Sequence, residues 1–129
     1  MFNNLIGLQY KWGSHPLHNS GFTDCFALSM EIRRRLGLHD FYADYQWVYE
    51  NYEEGQVSAR QILQWVWKHT ERTDKARAGA IFKVFGLGYS RIALATVIDD
   101  ENALLISSSR GVVAVPFAKV AKRKFYWAD

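Results

Sequence analysis

Apolar side chains recur every three or four residues in three segments of the first half of the chain, a spacing typical of helices that bury one face. The first predicted helix begins after Thr23 or Asp24, either of which suits the N-cap position, and ends before Gly37. Its buried stripe is predicted to consist of Cys25, Leu28, Ser29, Ile32 and Leu36. Cys25 is therefore placed in the first turn, beside the positive end of the helix dipole.

Two further helices are predicted after Asp40 and after Ser58. The earlier one carries a stripe of tyrosines and is closed by Gly55. Ser58 and Gln61 form a capping-box pair ahead of the later one, whose apolar stripe runs to about Thr70. The tyrosine stripe consists of Tyr42, Tyr45, Tyr49 and Tyr52.

The segment before the first helix is predicted to be a lead-in followed by a loop. Residues 1–12 read as a short helix or an extended segment. Gly13–Gly21 has the composition of turns and carries His15 and His18, which are expected to be exposed loop residues.

From residue 81 onward, β-branched and aromatic runs separated by short turns predict an antiparallel meander. The polar stretch Glu71–Arg77 is interpreted as the crossover from helices to sheet. Helices followed by strands indicate an α+β fold with a sheet of about five strands. The predicted strands are Ile81–Phe85, Ile92–Ile98, Ala103–Ile106, Val112–Phe117 and Lys124–Trp127.

The 129 residues are predicted to form one domain, 1–129, with 49% apolar and 22% charged residues. No basic segment followed by a long apolar run opens the chain, so neither a signal peptide nor a membrane span is expected. Aromatic residues make up 16%, and some are expected near the surface. The tyrosine stripe, with Trp47, Trp65 and Trp67, has two interpretations: core packing, or a surface that contacts sugars or proteins.

The charge balance argues against nucleic acid as a partner. The formal net charge is +3, and the basic runs Arg33–Arg35 and Lys122–Lys124 are too short to predict nucleic-acid binding. A mild positive charge suits an anionic wall polymer, a membrane surface or an acidic protein. No cofactor is expected.

Cys25 is the only cysteine, which excludes an internal disulfide. Two interpretations remain open, a buried inert thiol or a nucleophile activated at a helix N-terminus. His15, His18, Asp24 and Cys25 include zinc-ligand types, but their spacing matches no compact zinc pattern, so no metal site is predicted.

Three segments carry a resemblance to a known family, Leu5–Gly7, Tyr10-Lys11-Trp12-Gly13 and Gly21–Leu28. In this order they resemble the NlpC/P60 cysteine peptidases, which have a short helix, a Tyr-x-Trp-Gly-Gly motif and an Asp-Cys-Ser-Gly-Leu motif. Phage tail members are nearest in pattern. Residues 77–81 and 92–97 stand where the family has Pro-Gly-Asp-Ile and its His-bearing strand, so the resemblance spans almost the whole chain. It implies a papain-like fold. The departures near the first motifs and at residue 80 are Ser14, Phe26, Ala27 and Ala80.

The resemblance also implies the catalytic positions. Cys25 stands at the nucleophile, Arg91 at the family histidine and Ser107 at the third polar residue. A guanidinium remains protonated at any usable pH, so Arg91 cannot act as a general base. No histidine follows His69 in the sequence, which leaves His15 or His18 as an alternative base.

Two functional hypotheses follow. The first is a catalytically degenerate NlpC/P60-like domain, a structural or binding component of a phage tail or baseplate. Such a chain would contact other tail proteins or peptidoglycan and reside in the virion, or in the host cytoplasm during assembly. The second is an active cysteine peptidase or amidase that cleaves peptide bonds of peptidoglycan with Cys25 as nucleophile.

Overall fold

The computed structural model describes residues 1–84, 94–120 and 125–127. The described part is a mixed α+β structure, in agreement with the predicted fold class. Among these residues no helix has the length and apolar character needed to cross a membrane. The elements in chain order are a single 3-10 turn Asn3–Leu5, β1 Gln9–Tyr10, β2 Phe22–Thr23, α1 Cys25–Arg35, α2 Tyr42–Asn51, α3 Ala59–His69, β3 Glu71–Thr73, β4 Ile81–Lys83, β5 Leu94–Val97, β6 Asn102–Ser107, β7 Gly111–Pro116, α4 Phe117–Val120 and β8 Phe125–Trp127.

Helix α1 begins where its N-cap was predicted. The Asp24 carboxylate accepts a hydrogen bond from the backbone N–H of Ala27, which satisfies a donor that the first turn leaves free. Gly37 follows the helix with a φ of 76°, a left-handed conformation that glycine adopts without a Cβ penalty. The prediction that Cys25 lies in the first turn of this helix is confirmed.

Helices α2 and α3 also match their predicted positions. The capping box of α3 is complete: the Ser58 hydroxyl accepts from the Gln61 N–H at 3.2 Å, and Gln61 Oε1 accepts from the Ser58 N–H at 2.7 Å. Two backbone donors at the start of α3 are thereby satisfied.

Replacing Ser58 with alanine is expected to lower the free energy of unfolding by about 1 kcal/mol, because the N-cap oxygen is lost. Urea denaturation monitored by circular dichroism measures the change. Ser58→Asp is the control, since an aspartate also caps, and it should stay within a few tenths of a kcal/mol of the wild type. No loss in Ser58→Ala, or the same loss in both variants, would show that the cap hydrogen bond does not stabilise α3.

In the part of the chain that the structure describes, the main sheet has six strands in the order β3-β8-β4-β5-β6-β7, and its paired strands run antiparallel. The predicted meander is confirmed from β4 to β7. It is wrong for the last strand, because β8 lies between β3 and β4 instead of beside β7. The interpretation of residues 71–77 as a simple crossover is also wrong, since Glu71–Thr73 forms β3. Predicted strand residues 85, 92, 93 and 124 lie outside the described residues.

Both corrections concern the same edge of the sheet. β3 is three residues long, and Glu71 and Arg72 are exposed, so no alternation of apolar and polar residues marks it as a strand. Short charged edge strands of this kind are common because they discourage pairing with other chains. Their strand character comes from the partner β8, which lies more than fifty residues away in the sequence.

The sheet is covered on both faces. Ile81 belongs to the core cluster that also contains residues of α1, α2 and α3, whereas its neighbour Phe82 belongs to a second cluster with Val97 and Leu105. Successive side chains of a strand point to opposite faces, which explains this division. Val120 of the short α4 packs in the second cluster. Helices α1, α2 and α3 therefore lie on one face and α4 lies on the other, and Cys25 belongs to the cluster of the three longer helices.

The N-terminal segment is fastened to the start of β7. The N–H of Gly7 donates to the Val112 carbonyl, and the N–H of Val112 donates to the Leu8 carbonyl, both at 2.8 Å. β1 then pairs with β2 in parallel, next to the start of α1. The fold thus brings the segment that contains Tyr10 beside the segment that contains Cys25.

Candidate functional site

Cys25 lies where helix α1 meets strand β5, and its side chain is buried, with 3% exposed. One turn later, the Ser29 hydroxyl lies 2.6 Å from the Thr96 hydroxyl of β5 and also donates to the Cys25 carbonyl. These contacts hold the first turns of α1 against β5. The cysteine is therefore fixed in position but covered.

Burial raises the pKa of the Cys25 thiol far above its usual range, and the neighbouring Asp24 charge raises it further. The backbone N–H groups of Leu94, Cys25 and Phe26 act in the opposite direction and offset only part of this effect. A nucleophilic cysteine needs the reverse balance, because the thiolate is the attacking species. The position at the helix N-terminus therefore does not bring the pKa of the thiol below its ordinary value.

Asp24 is the most highly connected polar residue of the site. Its Oδ1 accepts from the Ala27 N–H at 2.8 Å, and its Oδ2 accepts from the Gly13 N–H at 3.0 Å and from the Tyr49 hydroxyl at 2.5 Å. Burial raises the pKa of Asp24 to about 6, although these hydrogen bonds lower it. One carboxylate thus joins the N-terminal loop, α1 and α2.

The surroundings of the thiol are phenolic. Burial raises the pKa of Tyr45 well above its ordinary value, and the charges of Asp24 and Cys25 add to the effect. Burial is also the main cause that raises the pKa of Tyr10, and the charge of Cys25 is the second cause. Tyr45 is 1% exposed, and among the described residues its hydroxyl has no hydrogen-bond partner. Neutral phenols cannot accept the proton of a thiol, so they provide no base.

His15 is buried, with 5% exposed, which makes the prediction that it is an exposed loop residue wrong. Its Nδ1 accepts from the Leu17 N–H at 3.1 Å, and its ring packs against Tyr42 and His18. Burial lowers the pKa of His15, and His18 lowers it further. Within the described chain, no histidine forms a hydrogen bond with Cys25.

The burial of His15 has a local cause that its loop composition conceals. The backbone N–H of His15 donates to the Asn19 side chain, and the His15 carbonyl accepts from the N–H groups of His18 and Asn19. The loop is folded tightly on itself, and this turns the imidazole inward against α2. His18 is exposed, as predicted.

Ser107 ends β6 beside the turn to β7. Its hydroxyl accepts from the Arg110 N–H at 2.9 Å, so it serves the turn. Continuing the β5–β6 register from Thr96↔Leu104 by two residues places Leu94 opposite Ile106, next to Ser107. Ser107 thus lies near the level of Leu94, whose backbone N–H acts on the Cys25 thiol. Arg91 lies outside the described residues.

The residues that sequence analysis missed are the partners of Cys25 and Asp24. The tyrosine stripe was identified, but its spacing does not show that Tyr49 reaches Asp24 or that Tyr45 is enclosed beside Cys25. Core packing is confirmed for Tyr45, whereas Trp47, Tyr52 and Trp67 are exposed, and their role as a contact surface stays a prediction. Among the described residues, no group of three or more His, Cys, Asp or Glu side chains is arranged to hold a metal ion.

Comparisons of the chain with protein-family models, with curated proteins and with solved structures give no match.

Proposed function

We propose that this chain is a catalytically degenerate domain of the NlpC/P60 type, which acts as a structural or binding component of a phage tail or baseplate. The observation that carries the proposal is the state of Cys25. Cys25 opens helix α1 at the residue to which the resemblance assigns the nucleophile, but its thiol is covered, its pKa is raised, and no described histidine hydrogen-bonds to it.

The segments that resemble the family motifs also form contacts that stabilise the fold independently of catalysis. Gly13 and Ser14 of the Trp-Gly segment bind Asp24, through the Gly13 N–H to Oδ2 and the Asp24 N–H to the Ser14 carbonyl. Asp24 in turn caps α1 and holds Tyr49. These contacts give the residues around Cys25 a role in the fold that requires no chemistry of the cysteine.

Incubation with purified peptidoglycan is expected to release no soluble fragments and no new amines, and the wild type should match Cys25→Ala. An active wall hydrolase in the same assay is the positive control. Arg91→His is tested in parallel, and activity gained in this variant would show that the rest of the site is intact. Release by the wild type that disappears in Cys25→Ala would overturn the proposal and favour an active peptidase or amidase.

Thiol alkylation tests the same conclusion without a substrate. Each unit by which the thiol pKa rises lowers the thiolate fraction at fixed pH about tenfold. At pH 8, iodoacetamide should therefore modify Cys25 in the native chain at least about a hundredfold more slowly than in the urea-unfolded chain. Comparable rates would show that the thiol is accessible and reactive.

The tail component of the proposal rests on the resemblance to phage tail members. It is tested by probing phage particles purified by density gradient with an antibody against the chain. The chain is expected in the particles, and its confinement to the lysate supernatant would contradict this part of the proposal.

A further inference from the structure

A groove of about 180 Å³ lies between helix α2, the segment that follows it, and helix α3. Binding sites for drug-sized molecules enclose roughly 300–1,000 Å³, so the space suits a single ring-sized group. Val48 and Val57 contribute to its lining. The side chains that give the groove its chemistry are Tyr45, Trp47, Tyr52, Trp65, Gln61 and Gln64.

The groove has an exposed aromatic edge. Trp47 is 55% exposed and Tyr52 is 38% exposed, and their rings meet edge to face at 5.7 Å between centroids. The two rings contact each other and together form one apolar surface at the edge of the groove. Trp65 is less available for stacking, because Lys68 Nζ already lies 5.0 Å from its ring centroid.

The polar groups of the groove are neutral. Gln61 Oε1 is occupied by the capping box, which leaves its Nε2 as a donor, and the exposed Gln64 amide offers both a donor and an acceptor. The indole N–H of Trp65 is buried and has no partner among the described residues. No Lys, Arg, Asp, Glu or His is among the lining residues, so the lining supplies no charge to bind a phosphate, carboxylate or ammonium group.

We propose that this groove binds one neutral pyranose ring of an oligosaccharide. The apolar C–H face of the sugar packs on Trp47 and Tyr52, and the hydroxyl groups, which both donate and accept, pair with the amides of Gln61 and Gln64. An oligoproline segment also suits aromatic grooves, but its proline residues have no backbone N–H, so they offer acceptors alone and leave the Gln64 acceptor unused. The inference does not rest on the state of Cys25, because none of the groups that bind the sugar takes part in the Cys25 site.

Nuclear magnetic resonance of the full ¹⁵N-labelled chain tests the proposal with chitotetraose, cellotetraose and maltotetraose as probes and decaproline as a competitor. The five tryptophans give five indole signals, assigned by single Trp→Phe variants. The Trp47 and Trp65 signals are expected to shift in a saturable manner with at least one sugar, and the Trp67 signal is not. Trp67 is the matched reference, because it is 42% exposed on α3 but does not line the groove.

Two alanine variants distinguish stacking of the sugar on Trp47 from the general effect of removing an exposed tryptophan. Trp47→Ala is expected to weaken sugar binding by about tenfold or more, whereas Trp67→Ala should leave it within about twofold. All variants are first checked for wild-type unfolding midpoints. Absence of saturable shifts with all three sugars, equal losses in the two variants, or shifts with decaproline alone would overturn the proposal. Absence of peptidoglycan cleavage would not contradict sugar binding in the groove, so the experiments can overturn either proposal without the other.

Discussion

We expect alanine at Gly111 to lower the free energy of unfolding by roughly 3–5 kcal/mol, far more than alanine at Gly37, where φ is also positive. Gly111 has a φ of 71°, and a Cβ built there would lie 2.2 Å from the Leu8 carbonyl oxygen. A backbone oxygen cannot turn aside as a flexible side chain can. The N-terminal segment must therefore move away from β7.

The size of this loss follows from what the movement breaks. The Leu8 carbonyl accepts from the Val112 N–H, and the Gly7 N–H donates to the Val112 carbonyl. Each backbone group left buried without a partner costs about 1–3 kcal/mol, and a left-handed conformation in alanine costs about 1–2 kcal/mol. The same segment leads to Tyr10, so the effect is expected to reach the surroundings of Cys25.

Gly37→Ala is the matched control. Gly37 has a φ of 76°, close to that of Gly111, but a Cβ there has nothing within 4 Å. It should lose only the conformational term, about 1 kcal/mol. Urea denaturation of both variants gives the comparison. Similar losses in the two would show that the contact between the N-terminal segment and β7 does not stabilise the fold.

Features determined by local sequence could be predicted. The caps of α1 and α3 depend on Asp24, Ser58 and Gln61 within one turn of each helix start, and the structure contains both. The strands of the meander are joined by short turns, and a short turn allows only antiparallel pairing because a parallel pair needs a long crossover connection. In each case the determining residues lie within a few positions of the element.

Features determined by distant residues could not be predicted. β3 is a strand because β8 pairs with it, and its own residues are polar. The Tyr49 hydroxyl reaches Asp24 only because α2 packs against α1, which the tyrosine spacing does not specify. The candidate site also combines a local and a distant cause. The position of Cys25 follows from the start of its own helix, but its burial follows from β5 and the surrounding tyrosines, which lie elsewhere in the sequence.

The charge state of Asp24 links the site to the stability of the fold. A carboxylate that gains partners without losing water has a lowered pKa, and folding then becomes more favourable as pH rises. Asp24 gains three hydrogen bonds but is almost completely buried, and burial is the larger effect. Its pKa rises from 3.8 to about 6 on folding. Between these two pH values the Asp24 carboxyl is therefore largely protonated in the folded chain and largely ionised in the unfolded chain.

The stabilising contribution of Asp24 is therefore expected to be complete below about pH 4, to decrease as pH rises to about 6, and to be constant above that. A shift of this size corresponds to about 3 kcal/mol. Urea unfolding of the wild type and Asp24→Asn at several pH values measures it, because the asparagine does not titrate. The difference between the two chains should fall by most of this amount between pH 4 and pH 7.

Asp99→Asn is the control with the opposite sign. The N–H groups of Glu101 and Asn102 bind the Asp99 carboxylate and lower its pKa, and the side chain is exposed. Its contribution should be lost as pH falls through the lowered pKa, and screening by solvent should keep it small. A difference for Asp24→Asn that stays constant or grows with pH would contradict the expectation. It would mean that hydrogen bonds outweigh burial at the centre of the site.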